Sequence, residues 1–334
     1  MGSPITKLTI EGFKSIRELK NFELRPLNVL IGANGSGKSN FIAVFKMLQD
    51  IFTPFPTTVD EFRAAVQRYV SRAGGANMLL HMGSKTTACI RLELRQGKYS
   101  WDWVFEAAEP DRLHINEIML MAYNWRIYHF HDTSSTALMR KRCGASDYEY
   151  LRPDAANLAA FLFRLKHQAP ASYEKIRGVV RIVAPFFDDF RLERMIDSEN
   201  QIQLEWYQKG SGNLFYPNQL SDGTLRFICL ATALLQPELP PIMLFDEPEL
   251  GLHPYALNLL AAMLQSAAVS SQIIVSTQSS MLLDEFEPED VVVVDRVGDE
   301  STFKRLDTAE LTDWLKDYSL GELWRKNVLE GGPA

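Results

Sequence analysis

The stretch Gly32-Ala33-Asn34-Gly35-Ser36-Gly37-Lys38-Ser39 decides the fold of this chain. It fits the pattern G-x-x-x-x-G-K-[S/T] of the phosphate-binding P-loop. The apolar run 27–31 before it predicts a buried strand, and residues 40–48 after it predict a helix with one apolar face. Glycine residues let backbone N–H groups close around phosphate oxygens, and the helix N-terminus adds a partial positive charge. The stretch therefore predicts a site for a nucleoside triphosphate.

The P-loop pattern assigns separate roles to two side chains. Lys38 is expected to reach the β- and γ-phosphates, and the Ser39 hydroxyl is expected to ligate Mg²⁺. A glycine- and serine-rich turn that fits the pattern by chance is the alternative, and the strand and helix on either side argue against it. The residues predicted to contact the nucleotide are Gly32, Ala33, Asn34, Gly35, Ser36, Gly37, Lys38, Ser39 and Asn40.

A second apolar strand, residues 241–245, runs directly into two carboxylates, Asp246 and Glu247. Ligands bind at the carboxyl ends of the strands in open α/β sheets, so these carboxylates are predicted to lie beside the phosphates. We expect Asp246 to hold Mg²⁺, directly or through water, and Glu247 to act as the general base on the attacking water. A strand that merely ends in an acidic turn is the alternative.

Two further polar motifs flank that strand. Ser221 and Gly223 lie at the start of a predicted helix, where they would form a second anion-binding nest for the γ-phosphate held by another copy of the chain. An ordinary helix N-cap at Ser221 is the alternative. Gln278 follows the buried strand 272–277, where its side chain could sense the γ-phosphate or orient water.

The composition limits the kind of partner that the chain can bind. A net charge of −7 over 334 residues argues against a surface that is basic all over and coats nucleic acid, although it leaves room for a local patch. Segment 139–194 carries eleven Lys and Arg residues against seven Asp and Glu residues. A solvated helical face is the favoured explanation, and a surface for nucleic acid or an acidic partner is the alternative.

The sequence contains none of the usual signals for export or membrane insertion. Three scattered cysteines do not make a disulfide framework, no apolar run is long enough to span a bilayer, and the N-terminal residues do not form a signal peptide. These features predict a cytoplasmic protein without a membrane partner.

The order of the motifs resembles that of ABC-type ATPases rather than RecA-like or AAA+ ATPases. The P-loop is followed by LSDGTLR (220–226), LFDEPE (244–249) and VSTQS (275–279). ITKLTIEGFKSIREL (5–19), IGANGSGKSN (31–40) and DEPELGLHP (246–254) are similar to the soluble RecF/SMC/OLD-like branch. Within that branch the chain resembles the small stand-alone ATPases with an AAA-type ABC domain. The resemblance covers essentially the whole chain.

This resemblance implies an α/β fold and a mechanism. The chain is expected to form one composite P-loop NTPase head over residues 1–334, an ABC-type ATPase head with an antiparallel β lobe and an inserted α/β middle lobe at approximately 111–219. Two heads would close around two ATP molecules as a homodimer, with Ser221 and Gly223 contacting the nucleotide of the partner. Glu247, Lys38 and Gln278 would be the catalytic residues, Ser39 and Asp246 the metal ligands, and ATP and Mg²⁺ the cofactors.

Three departures from the wider ABC pattern bear on that mechanism. Asp222 stands where glycine is usual and would place a carboxylate near a phosphate. Gln278 stands where many relatives have histidine, and an amide cannot carry a proton near pH 7. No glutamine after the P-loop helix stands out as a Q-loop residue, because Gln49 lies within the helical pattern.

About forty residues follow the strand at 291–294, too few for the Toprim domain of OLD-type nucleases, so we expect no nuclease activity in this chain.

Three functions are compatible with this sequence. The first is an ATPase switch acting in DNA maintenance or phage defence, with a separately encoded effector protein and with DNA bound through the basic middle segment. The second is an ATP-gated binding module with slow hydrolysis that regulates a separate effector. The third, the ATPase subunit of a membrane importer, is the weakest, since the N-terminal phrase and DEPELGLHP resemble the soluble branch.

Overall fold

The computed structural model describes residues 4–54, 56, 58–81, 89–96, 99–106, 124–195 and 197–332. The chain divides into two compact units. The first unit comprises residues 1–127, 240–246 and 271–334, and the second comprises residues 128–239 and 247–270. Part of the predicted middle lobe, residues 111–123, lies outside the described residues, and the bounds of that lobe stay a prediction.

The strands are β1 (Lys7–Phe13), β2 (Ile16–Glu23), β3 (Leu27–Ile31), β4 (Cys89–Gln96), β5 (Tyr99–Glu106), β6 (Arg126–Tyr128), β7 (Cys143–Gly144), β8 (Phe187–Arg191), β9 (Arg194–Met195), β10 (Ser198–Ile202), β11 (Glu205–Gln208), β12 (Leu214–Phe215), β13 (Ile242–Asp246), β14 (Gln272–Thr277), β15 (Val291–Val297) and β16 (Glu300–Arg305). The α-helices are α1 (Lys38–Phe52), α2 (Val59–Arg72), α3 (Leu158–Gln168), α4 (Pro170–Val183), α5 (Asp222–Leu234), α6 (Pro254–Ala268), α7 (Ser280–Leu283), α8 (Thr308–Leu311) and α9 (Leu320–Arg325).

A six-stranded sheet organises the first unit, with the strand order β16-β15-β3-β14-β13-β6. The strands β15, β3, β14 and β13 run parallel, and β16 pairs antiparallel to β15. Every residue of β3 and β14 is buried. Strands that are covered on both faces have continuous apolar runs rather than alternating ones. The continuous apolar runs in the sequence are what predicted β3 and β14. The expected P-loop sheet is confirmed.

An antiparallel sheet with the order β2-β1-β4-β5 forms the other layer of the first unit, as predicted. Apolar residues of β1, including Leu8 and Ile10, enter one core with Phe41 and Phe45 of α1. These side chains are almost completely buried, and burying a side chain of this size contributes roughly 1.5–3 kcal/mol. The P-loop helix is therefore fixed by its apolar face, while its N-terminus stays at the edge of the parallel sheet.

The second unit is built from α3 to α6 and two three-stranded sheets, of order β7-β10-β9 and β12-β11-β8. Helix α5 lies at its centre: it packs against α4 and α6, and its residues from Leu225 to Leu234 are all buried. A helix that is apolar on all sides has to be surrounded by other elements. In the described parts of the chain, no helix has the length and apolarity needed to cross a membrane.

Candidate functional site: a P-loop at the edge of the parallel sheet

Three of the sequence motifs meet at one edge of the parallel sheet. The P-loop follows β3, Asp246 ends β13, and Gln278 follows β14. Strand β14 lies between β3 and β13, and all three strands run in the same direction. The carboxyl ends of these strands therefore deliver the three predicted groups to neighbouring positions, at the edge where open α/β sheets bind ligands.

The P-loop ends in a helix N-terminus that has no side-chain cap. Gly37 is the N-cap of α1, with φ of 117°, and it provides no side chain for a capping hydrogen bond. The first turn also carries no acidic residue. The first N–H groups of a helix lack internal partners and carry a partial positive charge, so an uncapped N-terminus favours an anion.

Lys38 supplies the cation of the loop. Its side chain is buried, and Nζ donates hydrogen bonds to the carbonyl oxygens of Gly32 at 2.6 Å and Ala33 at 3.0 Å. Asn34, Gly35 and Ser39 are exposed. The ammonium group is thus held against the backbone of the loop, next to the exposed part of the stretch.

Ser36 has a buried hydroxyl group whose environment could not be predicted from the sequence. The residue is only 3% exposed, and its Oγ has no hydrogen-bond partner among the described residues. Leaving a buried hydroxyl without a partner costs about 1–3 kcal/mol. An orphaned hydroxyl, an uncapped helix N-terminus and the Lys38 ammonium in one loop fit the phosphate groups of a nucleotide.

The carboxylate of Asp246 is held by a neighbouring strand. Ser276, which pairs with Asp246 across β13 and β14, is completely buried and donates from Oγ to Asp246 Oδ1 at 2.7 Å. This bond fixes the orientation of the carboxylate at the end of β13. Sequence reasoning missed Ser276 although it lies within VSTQS, because its partner is defined only by strand pairing.

A hydroxyl and a carboxylate are suitable ligands for Mg²⁺. Magnesium usually keeps several waters and binds through one or two protein groups together with substrate phosphates. Ser39 and Asp246 meet this requirement. Among the described residues, no group of three His, Cys, Asp or Glu side chains could hold a metal by itself. The donor set therefore fits a metal that is shared with phosphate better than an all-protein metal cage.

Glu247 has an unusual backbone conformation. Its φ is +44°, in the left-handed region that residues with a side chain rarely adopt. Such a conformation costs about 1–3 kcal/mol and persists only where the surroundings hold it. The residue directly after the predicted metal ligand is thus a glutamate, although its backbone conformation is one that glycine adopts more readily.

The signature loop, residues 220–226, belongs to the second unit, and its two predicted contact residues have roles within their own chain. Ser221 is the N-cap of α5, since its Oγ accepts a hydrogen bond from Thr224 N at 3.2 Å. Gly223 is needed for close packing, because a Cβ there would lie 2.3 Å from the carbonyl oxygen of Gly251. The predicted contact of Ser221 and Gly223 with a partner's nucleotide stays a prediction.

Asp222, the residue that departs from the usual signature, forms an ion pair within the second unit. Its Oδ1 accepts a hydrogen bond from Arg140 Nη2 at 2.7 Å. The Arg140 side chain is buried and also donates to the carbonyl oxygens of Thr133, Pro217 and Leu220. The negative charge of Asp222 is therefore compensated by a fixed cation, which weakens the expectation that it repels a phosphate.

This arrangement corrects the interpretation of Arg140 as part of an exposed basic patch. In the segment Arg140-Lys141-Arg142, only the last two residues are exposed, and Arg142 pairs with Asp197. Most other cations of segment 139–194 also pair with carboxylates, and these ion pairs are Arg152–Asp147, Lys166–Asp189, Arg177–Asp189, Arg181–Asp188 and Arg191–Glu205. Most of the positive charges of the segment are therefore compensated by carboxylates within the second unit.

Replacement of Arg140 by alanine should destabilise the second unit strongly. The change leaves the carbonyl oxygens of Thr133, Pro217 and Leu220 without their donor, and each buried acceptor left unsatisfied costs about 1–3 kcal/mol. Urea unfolding followed by circular dichroism measures the loss. Arg142→Ala is the matched control, since its pair with Asp197 is exposed and worth at most about 1 kcal/mol. Equal effects of the two changes would contradict the structural role of Arg140.

Three more polar residues considered in the sequence analysis, two glutamines and one asparagine, lie at different places in the first unit. Gln49, on α1, donates from Nε2 to the carbonyl oxygen of Trp125 at 2.7 Å, so it holds α1 to the chain that precedes β6. Gln278 is partly exposed and lies directly before Ser279, the N-cap of α7. Asn40, predicted to contact the nucleotide, donates from Nδ2 to Ser15 Oγ at 2.7 Å.

The fold and the site together define a P-loop ATPase head of the ABC/SMC type. The chain is similar in structure to an SmcHead crystallised with the C-winged helix domain of ScpA, with a TM-score of 0.62, 18% identity and coverage of 93% of this chain and 99% of that one. It is also similar to an Smc head domain with an extended coiled coil, bound to the C-terminal domain of ScpA and derived from Pyrococcus furiosus, with a TM-score of 0.55, 15% identity and coverage of 94% and 99%.

The family follows from the sequence itself. Residues 27–84 and 94–284 match the family model described as "AAA domain, putative AbiEii toxin, Type IV TA system", and the chain belongs to this family. No curated protein is detectably similar to the chain in sequence. Membership of this AAA family makes the chain by class an ATPase, a protein that binds and hydrolyses nucleotide.

Proposed function

We propose that the protein is a Mg²⁺-dependent ATPase switch in which two copies associate around two ATP molecules. The observation that carries this proposal is the meeting of the P-loop, Asp246 and Gln278 at one edge of the parallel sheet. Phosphoryl transfer is catalysed mainly by positioning and by electrostatic stabilisation, and this edge offers donors, a cation and the carboxylate of Asp246, which Ser276 fixes.

Each group at this edge has a role in the proposed reaction. The N–H groups of the P-loop and Lys38 bind and orient the phosphates, while Ser39 and Asp246 hold Mg²⁺, which neutralises charge on the phosphate oxygens when it is bound. Glu247 accepts the proton of the attacking water as the general base. Gln278 orients that water through its amide and does not carry a proton.

The second copy would complete each site. The P-loop already provides the donors for its own nucleotide, so the N-terminus of α5 in the partner, with Ser221 and Gly223, would bind the γ-phosphate. Exposed apolar side chains follow Glu247, namely Leu250 and Tyr255, which are 40% and 57% exposed. Burial of these groups by a second copy would stabilise the association.

The partner of the switch is a further part of the proposal. The two similar SMC heads are each bound to a domain of another protein, ScpA, and by analogy an effector protein would bind this head and respond to its association. A role in DNA maintenance or phage defence is proposed from the resemblance of the sequence motifs to the RecF/SMC/OLD-like branch. Direct DNA binding by segment 139–194 loses support, because most of its cations form ion pairs within the segment or with nearby carboxylates.

Nucleotide binding is the first step to test. Lys38→Ala should weaken ATP binding by roughly 10- to 150-fold, the loss expected when a charged hydrogen-bond donor is removed. Calorimetric titration with ATP measures this change. Lys46→Ala, at an exposed position on the same helix, is the matched control and should bind like the unaltered protein. Unaltered affinity in Lys38→Ala would contradict the assignment of the P-loop.

A measurement of turnover separates the active switch from an ATP-gated module that hydrolyses slowly. ATP hydrolysis is followed with and without double-stranded DNA and at several salt concentrations. Stimulation by DNA that falls steeply with salt would support a DNA-linked ATPase, since binding to phosphates releases counterions. Slow turnover that ignores DNA would instead favour the gated module.

A further inference from the structure

We propose that Ser301, far from the P-loop in sequence, is a positioning residue that holds this loop in the conformation that binds nucleotide. Its Oγ lies 2.6 Å from the carbonyl oxygen of Ser36 and 2.7 Å from Ser15 Oγ. Asn40 Nδ2 in turn donates to Ser15 Oγ at 2.7 Å. The inference rests on the proposed nucleotide site and adds to it Ser15, from the turn between β1 and β2, and Ser301, from β16.

The direction of these hydrogen bonds follows from the number of protons. Each serine hydroxyl has one proton, and a carbonyl oxygen can only accept. Ser301 must therefore donate to the Ser36 carbonyl and accept from Ser15, which accepts from Asn40. The result is a hydrogen-bond chain from Asn40 to Ser15, to Ser301 and to the Ser36 carbonyl, in which the hydroxyl protons of Ser15 and Ser301 are both used.

The hydrogen-bond chain is buried and encloses the second half of the P-loop. Ser15, Ser301 and Ser36 are 7%, 4% and 3% exposed. At Gly37 a Cβ would lie 2.0 Å from Ser301 Oγ, so Ser301 is packed against the residue that begins α1. The backbone of Ser301 adds a hydrogen bond from its N–H to the carbonyl oxygen of Ser15, at 2.8 Å.

Three parts of the first unit are thereby linked at the loop. Ser15 lies in the turn between β1 and β2, Ser301 lies on β16, and Asn40 and Ser36 flank the start of α1. The hairpin of β15 and β16 also contacts the preceding residue of the loop, because Arg296 donates from Nη1 to the Gly35 carbonyl at 3.2 Å. Buried and fully satisfied networks of this kind fix one conformation.

Replacement of Ser301 by alanine tests the role of the hydrogen-bond chain. The variant should bind ATP roughly 3- to 30-fold more weakly, because the loop loses two hydrogen bonds that order it before binding. Thr302→Ala is the matched control: it removes a hydroxyl from the next residue, which is exposed, and should leave ATP affinity unchanged. Equal affinity of the Ser301→Ala and Thr302→Ala proteins would overturn the proposal.

A second readout does not depend on nucleotide. Amide hydrogen exchange of peptides covering residues 32–40 should be faster in Ser301→Ala than in Thr302→Ala, while exchange in β14 stays unchanged. Uniformly faster exchange would indicate general destabilisation and would overturn the positioning role. If the unaltered protein binds no ATP, the proposed function fails, and the exchange of the P-loop still decides whether Ser301 positions it.

The double variant tests whether the chain acts as one unit. Ser15→Ala should weaken ATP binding about as much as Ser301→Ala, and the double variant should lose no more than either change alone. Residues that belong to one network show such coupling, whereas independent residues have additive effects. Additive losses would contradict the linked chain.

Discussion

Glu247→Gln should bind ATP normally and lose hydrolysis by about 10²- to 10⁴-fold, the contribution expected of a general base. The amide keeps the shape of the side chain but cannot take the proton from water. The strained backbone at Glu247, with φ of +44°, is unchanged by the substitution, so the loop keeps its form. The binding affinity and the turnover are measured in parallel, by titration with ATP and by phosphate release.

The role of Glu247 is assigned by comparing the change in ATP affinity with the change in turnover. Glu238→Gln, a carboxylate-to-amide change at an exposed position of the same unit, is the control and should retain full turnover. An equal loss of binding and turnover in Glu247→Gln would place this side chain in metal binding or in the fold. Turnover close to that of the unaltered protein would remove Glu247 from the mechanism.

The parts of the site that could be predicted from the sequence are those whose signals are local. The P-loop, Asp246 and Gln278 each follow a buried apolar strand, and parallel strands deliver their carboxyl ends to one edge. The strand order, with β14 between β3 and β13, depends on the pairing of β14 with β3, two segments more than 200 residues apart in the chain, as Asn28 with Ile274 illustrates. The edge was therefore predictable, but the neighbours along it were not.

Arg140 and Ser301 show why other parts of the site could not be predicted. Arg140 lies in a run of three basic residues, a pattern typical of a solvated surface. Its burial depends on the carbonyl oxygens of residues 133, 217 and 220, which only the tertiary fold brings together. Ser301 and Ser15 are 286 positions apart, and a single serine on an edge strand carries no sequence signal of a role at the P-loop.

The ion pair between Arg140 and Asp222 changes what is expected of association between two heads. An unpaired carboxylate in the signature loop would oppose an approach to the γ-phosphate of another copy. Because Asp222 is held by a buried guanidinium at 2.7 Å, this opposition is reduced, and the proposed association should need no second protein to overcome it. We therefore expect ATP alone to be sufficient for association when hydrolysis is blocked.

The Glu247→Gln protein should accordingly be dimeric with Mg-ATP and monomeric without it. A ligand that binds the dimer more tightly than the monomer must favour the dimer by linkage. Two copies related by a two-fold axis would enclose two ATP molecules, each between one P-loop and the other copy's signature loop. Light scattering coupled to gel filtration, with and without Mg-ATP, measures the mass directly. A mass that does not respond to ATP would contradict the proposed switch.

Ser221→Arg, added to the Glu247→Gln protein, should abolish the dimer while ATP still binds to the P-loop. A bulky side chain at the N-terminus of α5 would occupy the space in which the partner's phosphate is proposed to lie. Ser221→Ala separates this effect from loss of the N-cap, which costs about 0.5–2 kcal/mol of stability. Ser211→Arg, at an exposed loop position of the same unit, controls for added size and charge and should leave the dimer intact. If Ser221→Arg dimerises like Ser211→Arg, the signature loop does not face the second nucleotide, and Ser221 acts only as the N-cap that the structure shows.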